Sequence, residues 1–159
     1  MGPTLPATRV AGLLGGFALV AAFFMPWFAA QGLLLSGQFL HSFLTSASPA
    51  DLQRFMPGTT PAEVEALRLL VELFPALGAF AAAVSLLGSL TAARGHVAVS
   101  ILLALSGLIP LVAWAIGRTR LPPGSSAEIG LSVIAAGSLL ILLAGACGLL
   151  VRARRNAPV

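Results

Sequence analysis

The sequence predicts an all-α integral membrane protein, a four-helix up-down bundle with a part-helical outer loop between helices 1 and 2. The first observation is four runs without a charged residue, at about 10–30, 73–93, 97–117 and 129–151. Each is about the length that a helix needs to cross the hydrocarbon core of a bilayer. The second observation is that charged residues make up only 9% of the chain, against about 25% in soluble domains. The 159 residues therefore form a single transmembrane domain.

The first run is predicted to be a retained helix over about 10–30 rather than a signal peptide. It is longer than the apolar region of a signal peptide, which is about 7–15 residues. The small residues of a cleavage site are also missing, because Phe28 stands at position −3 when Ala30 stands at −1. Trp27 and Phe28 fall where an interfacial aromatic belt would place them.

The outer loop, at about 31–65, contains two helix starts. Residues 48–51 read Ser-Pro-Ala-Asp, which predicts a short helix over 49–55. Residues 60–63 read Thr-Pro-Ala-Glu and predict a helix that runs straight into the second span. The apolar spacing within 39–44 predicts an amphipathic turn or two at the membrane interface.

The second long helix is predicted to begin outside the membrane, because it is longer than a bilayer is thick. Glu65, Arg68 and Glu72 are three and four residues apart, so they share one face and are expected to pair loosely in water.

Short connections predict that the helices run up and down in turn. Only residues 94–96 separate the second and third runs, and residues 118–127 join the third to the fourth. Residues 125–128 read Ser-Ser-Ala-Glu and are predicted to cap the last helix. Links this short favour antiparallel neighbours.

The arginines predict that both termini are cytoplasmic, because positive charge accumulates on that side. Arg9 precedes the first run, and the next positive residue is Arg54. Arg152, Arg154 and Arg155 follow the last run, where they form a topology anchor or contact lipid headgroups. Arginine without any lysine, in a chain rich in Ala, Leu, Gly and Pro, indicates a bacterial source and hence the cytoplasmic membrane.

Small residues recur at four-residue spacing within the runs and are typical of closely packed helices. They either pack the bundle internally, which we favour, or mediate oligomerisation. The candidate helix-packing residues are Gly12, Gly16, Gly78, Ala82, Gly88, Ala144 and Gly148.

Prolines inside the runs free backbone carbonyls, because proline has no N–H to donate. Pro26 frees the carbonyl of Ala22, and Pro75 and Pro110 act in the same way further along the chain. No pair of matching broken spans is present, so simple kinks are the favoured interpretation.

No chemistry-bearing motif appears in the sequence. The four runs contain no Asp, Glu, Lys, Arg or His, the residue types that mark proton relays and ion pathways in membranes. Cys147 is the one cysteine, which excludes a disulfide-exchange pair. His41 and His96 are expected on opposite sides of the membrane. We therefore predict no catalytic residue, no metal site and no cofactor.

Two tetraspan families share the number of spans. Claudin-type proteins resemble the chain in their large first outer loop and in a Trp after the first helix, here Trp27, but carry a cysteine pair in that loop, and this loop has none. Four-span multidrug exporters carry a Glu in the first helix, and 10–30 contains none. We assign the sequence to neither family.

The absence of catalytic, metal-binding and proton-relay residues predicts a non-catalytic accessory, structural or assembly subunit of a larger bacterial membrane complex. The alternative is a small transporter, channel or carrier for an apolar or lipid-like substrate, which needs no buried charge. The expected partners are membrane lipids and other membrane subunits, bound through the outer loop and helix faces. Nucleic acid is not expected, because the arginines are scattered. The candidate contact residues are aromatic, namely Trp27, Phe28, Phe39, Phe43 and Phe55.

Overall fold

A computed structural model describes residues 7–30, 32–90, 96–119 and 124–155 of the chain, and these form six helices and three short strands. Four helices are long and apolar enough to cross a membrane. The mostly helical architecture is thus confirmed. In chain order the elements are α1 (Ala7–Phe24), β1 (Pro26–Ala30), β2 (Leu33–Ser36), α2 (Gly37–Ser46), α3 (Pro49–Phe55), α4 (Pro61–Leu90), α5 (His96–Thr119), β3 (Ser126–Ala127) and α6 (Ile129–Arg155).

Helix α1 ends at Phe24, six residues before the predicted end of the first run. Pro26 explains the difference, since a proline cannot donate to the carbonyl four residues back and disfavours helical geometry in the residue before it. The chain leaves the helix and continues as β1. Pro26 therefore terminates the helix instead of kinking it.

The three strands form an antiparallel sheet that the sequence does not predict, with the order β2-β1-β3. Phe28 pairs with Leu35 on one side and with Ala127 on the other. Strand β3 occupies the place of the predicted cap of α6, so α6 begins at Ile129 after a turn in which the Leu131 N–H donates to the Glu128 carbonyl at 3.2 Å. We call residues 26–30 and 32–60, together with β3, the cap.

The predicted loop helices are present. Helix α3 covers Pro49–Phe55, as predicted, and α4 runs unbroken from Pro61 through Pro75 to Leu90. Helix α2 is a full ten-residue helix where an amphipathic turn or two is predicted. The last loop residues before α4 form the predicted capping box, in which the Thr60 N–H donates to Glu63 Oε2 at 2.7 Å.

The long helices bury positions spaced alternately three and four residues apart. In α6 the buried positions Gly130, Ile134, Gly137, Ile141 and Ala144 follow this spacing, and Ser138 and Gly145 are buried beside them. This spacing is that of left-handed helix packing, in which one seam of each helix stays against its neighbours. Along this seam glycines alternate with isoleucines. The isoleucine side chains of α6 therefore fit between the glycines, where the backbones of neighbouring helices approach closely.

On α4 the buried side chains are larger near the cap than in the middle of the helix. Val71 and Phe74 lie at the cap end, and Gly78, Ala81 and Ser85 continue the seam away from it. A Cβ placed on Gly78 would lie 2.7 Å from the Gly16 carbonyl oxygen of α1. The two helices thus approach to backbone contact in the middle of the bundle and leave room for large side chains beneath the cap.

The predicted packing residues lie between helices of this chain. A Cβ on Gly12 would meet Ser85 and Leu103, and one on Gly148 would meet Ser100. Ala82 faces Gly16, and Ala144 is buried. These contacts are those of internal bundle packing.

Arg9 lies within α1 rather than before it, and it is buried. A Cβ on Gly88 would lie 3.1 Å from the Arg9 guanidinium carbon. The missing side chain of Gly88 therefore makes the space that the guanidinium occupies at the end of the bundle away from the cap.

Replacing Gly16 by Ala is expected to lower the free energy of unfolding by about 1–3 kcal/mol, the usual cost of overpacking. The new methyl group would lie 2.6 Å from the Gly78 carbonyl oxygen and 2.9 Å from the Ala82 nitrogen, both backbone atoms. Thermal unfolding in detergent, followed by circular dichroism, measures the effect.

Gly117→Ala is the matched control, because no described residue lies within 4 Å of a Cβ at Gly117 on α5. This variant should unfold at or above the wild-type temperature, since Ala is the better helix former. Equal melting temperatures for the two variants would contradict the close contact of α1 and α4.

Candidate partner-binding surface on the cap

The Trp27 indole closes the end of α1. Its Nε1–H donates to the Ala22 carbonyl at 2.7 Å, and this is the carbonyl that Pro26 leaves without its usual helical donor. The Met25 N–H also reaches that carbonyl, at 3.2 Å. Trp27 is only 6% exposed, so it lies inside the fold, although the sequence predicts it as a surface contact.

The same indole contacts three other elements. Its ring stands edge-on to Phe74 of α4, with ring centres 5.2 Å apart. A Cβ on Gly37 of α2 would lie 2.5 Å from the indole, and one on Gly130 of α6 would lie 2.7 Å from it. Both glycines leave space that the indole fills. The Trp27 carbonyl accepts the Glu128 N–H at 2.9 Å and so joins the cap to the start of α6.

Serine caps fix the two short helices of the cap. Ser36 Oγ accepts the Phe39 N–H at 3.1 Å at the start of α2. Ser48 Oγ accepts the Asp51 N–H at 3.2 Å and donates to the Asp51 carboxylate at 2.6 Å. Such caps stabilise a helix start by about 1 kcal/mol each.

The turn between α3 and α4 is also held by hydrogen bonds. Gln53 Nε2 donates to the Thr59 carbonyl at 2.9 Å, and the Gly58 N–H donates to Gln53 Oε1 at 3.3 Å. Gly58 has φ of +80°, a backbone conformation that glycine adopts without strain. Beside this turn lies a cavity of about 160 Å³, smaller than ordinary ligand pockets of about 300–1,000 Å³. It is lined by Pro49, Leu52, Gln53, Thr59, Pro61 and Val64.

Three phenylalanines form a continuous aromatic surface on α2 and α3. The rings of Phe39 and Phe43 are stacked, with centres 6.2 Å apart, and Phe55 stands edge-on to Phe43 at 5.2 Å. Phe39 is 48% exposed and Phe55 60% exposed. We call these three residues the aromatic patch. Phe28, the remaining predicted contact residue, is partly buried against the core and belongs to the sheet.

The opposite face of α2 packs on α4. Gly37 and Leu44 are buried on this face of α2, and between them His41 Nδ1 lies 3.2 Å from Glu72 Oε1 of α4. Arg68 Nε lies 3.8 Å from the same carboxylate oxygen, while Arg68 Nη2 donates to Glu65 Oε1 at 2.7 Å. The predicted pairing of Glu65, Arg68 and Glu72 is present, and His41 extends it to a second helix.

The described residues contain no group of three or more His, Cys, Asp and Glu side chains that could hold a metal ion. Cys147 is exposed and unpaired in α6. Near the end of α5 the Arg118 guanidinium lies over the Trp114 ring, 5.5 Å from its centre, where it makes a cation–π contact. Helix α6 continues to Arg155, but the side chains of the predicted lipid-contact residues Arg152, Arg154 and Arg155 lie outside the described part of the chain.

Sequence reasoning missed the inward role of Trp27, although a signal for it is present. The freed carbonyl of Ala22 lies in the last turn of α1, and the indole N–H of Trp27, three residues beyond the helix end, is the matching donor. The contact of His41 with Glu72 has no comparable signal, because the two residues are 31 positions apart in the sequence.

Comparisons with known proteins return no match for this chain, whether against family models, curated proteins or solved structures.

Trp27→Phe is expected to lower the free energy of unfolding by about 1–2 kcal/mol more than Trp114→Phe does. Both changes remove the same atoms from a ring packed against the core, but only Trp27 loses a hydrogen bond. Trp114 Nε1 is buried without a hydrogen-bond partner among the described residues, so its removal leaves none of them with an unpaired acceptor. Denaturation of the two variants in the same detergent measures the difference, and an equal loss would contradict the role of the Ala22 contact.

Proposed function

We propose that this chain is a non-catalytic accessory or assembly subunit of a larger bacterial membrane complex and that the aromatic patch binds another membrane subunit. The observation that carries the proposal is the pairing of exposed aromatic rings with a firmly held cap. Large aromatic side chains on a rigid surface supply most of the binding energy in protein interfaces. Little ordering is needed on binding, because α2 and α3 are already capped and packed.

Exposed apolar side chains on the long helices support the membrane location. On α1 they follow one stripe, formed by Val10, Leu14, Phe17 and Phe24, each 38–59% exposed. Comparable faces lie on α4, α5 and α6. Apolar surface this extensive is covered by lipid or by other subunits in a stable protein. We propose that these four helices span the bacterial cytoplasmic membrane.

Contacts between helices support the up-down topology. Gly12 faces Ser85, and Gly16 faces Gly78, so rising residue numbers on α1 meet falling numbers on α4. The same reversal holds for α1 with α6, since Gly15 faces Ile141 and Gly137 faces Ala18 and Leu19. With both termini cytoplasmic, as the arginines predict, the cap and its aromatic patch lie outside the cytoplasm.

Phe55→Ala is expected to release the partner subunit from the native particle, with a loss of at least tenfold in the co-purified amount. A buried interfacial phenylalanine contributes more than about 1.4 kcal/mol to binding, which corresponds to a factor of ten. The mass and composition of the detergent-solubilised particle from the native membrane measure the result. Wild-type chain should appear in a large stoichiometric complex.

Phe17→Ala is the matched control, because Phe17 is 58% exposed on α1 and Phe55 is 60% exposed on the cap. The control should retain the complex. A small homo-oligomer in place of a complex, for the wild-type chain, would instead favour a carrier of an apolar or lipid-like substrate. Loss of the partner in both variants would contradict binding through the cap.

The proposed orientation predicts which positions an impermeant thiol reagent reaches in intact cells. In a Cys147→Ala background, Ser46→Cys at the end of α2 should react, and Asn156→Cys should react only after the cells are opened. The opposite pattern would place the cap in the cytoplasm.

A further inference from the structure

The cavity between α3 and the start of α4, which we call the α3–α4 cavity, has walls that the fold already fixes. Pro49, Leu52 and Gln53 of α3 form one wall, and Pro61 and Val64 of α4 form the other. Leu52 and Val64 also pack against the core. Both helices begin with a serine or threonine cap, so the cavity is formed before any occupant arrives.

The lining of the α3–α4 cavity offers an occupant little hydrogen bonding. The side-chain amide of Gln53 is used at both ends, since its Nε2 donates to the Thr59 carbonyl at 2.9 Å and its Oε1 accepts the Gly58 N–H at 3.3 Å. The two proline rings, of Pro49 and Pro61, have no N–H to offer. A polar group placed here would give up hydrogen bonds to water and gain few in return. The lining therefore favours an apolar occupant.

The size of the α3–α4 cavity matches one aromatic ring. Its volume is about 160 Å³, and an apolar protein cavity of about 150 Å³ takes up benzene. A drug-sized ligand needs about 300–1,000 Å³. The cavity therefore has room for one phenyl ring, such as that of a phenylalanine side chain.

The position of the cavity favours a protein over the membrane as the source of that ring. Pro61 and Val64 precede the charge-free run that begins at residue 73 by 9–12 residues, which is about 14–18 Å along a helix. Three charged residues lie in between, so lipid chains end short of the cavity. Residues 48–65 also carry three carboxylates and one arginine. This charge favours a partner segment with Arg or Lys beside its anchor residue.

We propose that the α3–α4 cavity receives the phenyl ring of an anchor residue of the partner subunit, with the aromatic patch packed around it. Phe55 follows Leu52 by three residues on α3, so the patch and the cavity are neighbours. Anchor side chains that fill a pocket dominate the binding energy of an interface, and the contacts around them exclude water. The identity of the occupant rests on the proposed function, whereas the capacity of the cavity for a ring does not.

A tethered ring tests the capacity of the cavity in the purified full chain. In a Cys147→Ala background, Thr59→Cys is labelled with benzyl methanethiosulfonate in one sample and with methyl methanethiosulfonate in another. The benzyl-labelled chain should melt about 2–4 °C higher, the shift that a modest stabilisation gives a chain of this size. Ser46→Cys at the end of α2, with the same two labels, is the matched control and should show no difference. Equal melting temperatures at position 59, or an equal rise at both positions, would overturn the proposal.

Variants that fill the cavity test its occupant. Val64→Phe and Leu52→Phe each place a ring of the chain itself in the cavity, from opposite walls. At least one of them should melt no lower than the wild type and yet lose the partner at least tenfold from the native particle. Leu69→Phe is the matched control and should retain the partner, because Leu69 is 55% exposed on α4 and does not line the cavity.

The outcomes separate this inference from the proposed function. A partner that stays bound to both filled variants, while Phe55→Ala releases it, would overturn the inference and leave the proposed function intact. A wild-type chain without a partner would contradict the proposed function and the occupant together, and the tethered ring still measures the capacity of the cavity in that case.

Discussion

Trp27 connects the cap to the bundle, and the arrangement of the candidate partner-binding surface depends on it. Its indole N–H satisfies the Ala22 carbonyl at the end of α1, its ring packs on Phe74, and its carbonyl receives the Glu128 N–H at the start of α6. A single residue, through its side chain and its backbone carbonyl, thus joins three of the four long helices at one end. Because Gly37 of α2 also rests on the indole, the position of α2 follows from the position of Trp27.

The packing of the long helices beneath the cap explains why there is space for the Trp27 indole. Small residues bring α1 and α4 to backbone contact at Gly16 and Gly78, and α1 meets α6 closely at Gly15 and Gly137. Toward the cap the α4 seam changes to Val71 and Phe74, which fill the space around the indole. Close packing inside the bundle also leaves large apolar side chains on its outer faces, among them Phe17 and Leu14 of α1.

Sequence patterns predict the helices well because helix starts and apolar runs are local signals. The helix over 49–55 and the helix that begins at Pro61 follow from serine or threonine caps with proline at the first position. The sheet has no such signal, since β1 pairs with β3 about 100 residues later in the chain. For the candidate surface, the patterns identify Phe39, Phe43 and Phe55, but place Trp27 on the outside because a tryptophan after a span resembles an interfacial anchor.

The proposed role as an accessory subunit requires a cap that is ordered before any partner arrives. Hydrogen exchange of the purified chain in detergent tests this requirement most directly, at the Glu128 amide bonded to Trp27 and at the amides of residues 39–56. The structure predicts exchange slowed by at least about 100-fold at the Glu128 amide and at the hydrogen-bonded amides of α2 and α3, which corresponds to local opening that costs about 2.7 kcal/mol. Exchange at the free-chain rate throughout these segments would contradict a preformed cap and, with it, the partner surface.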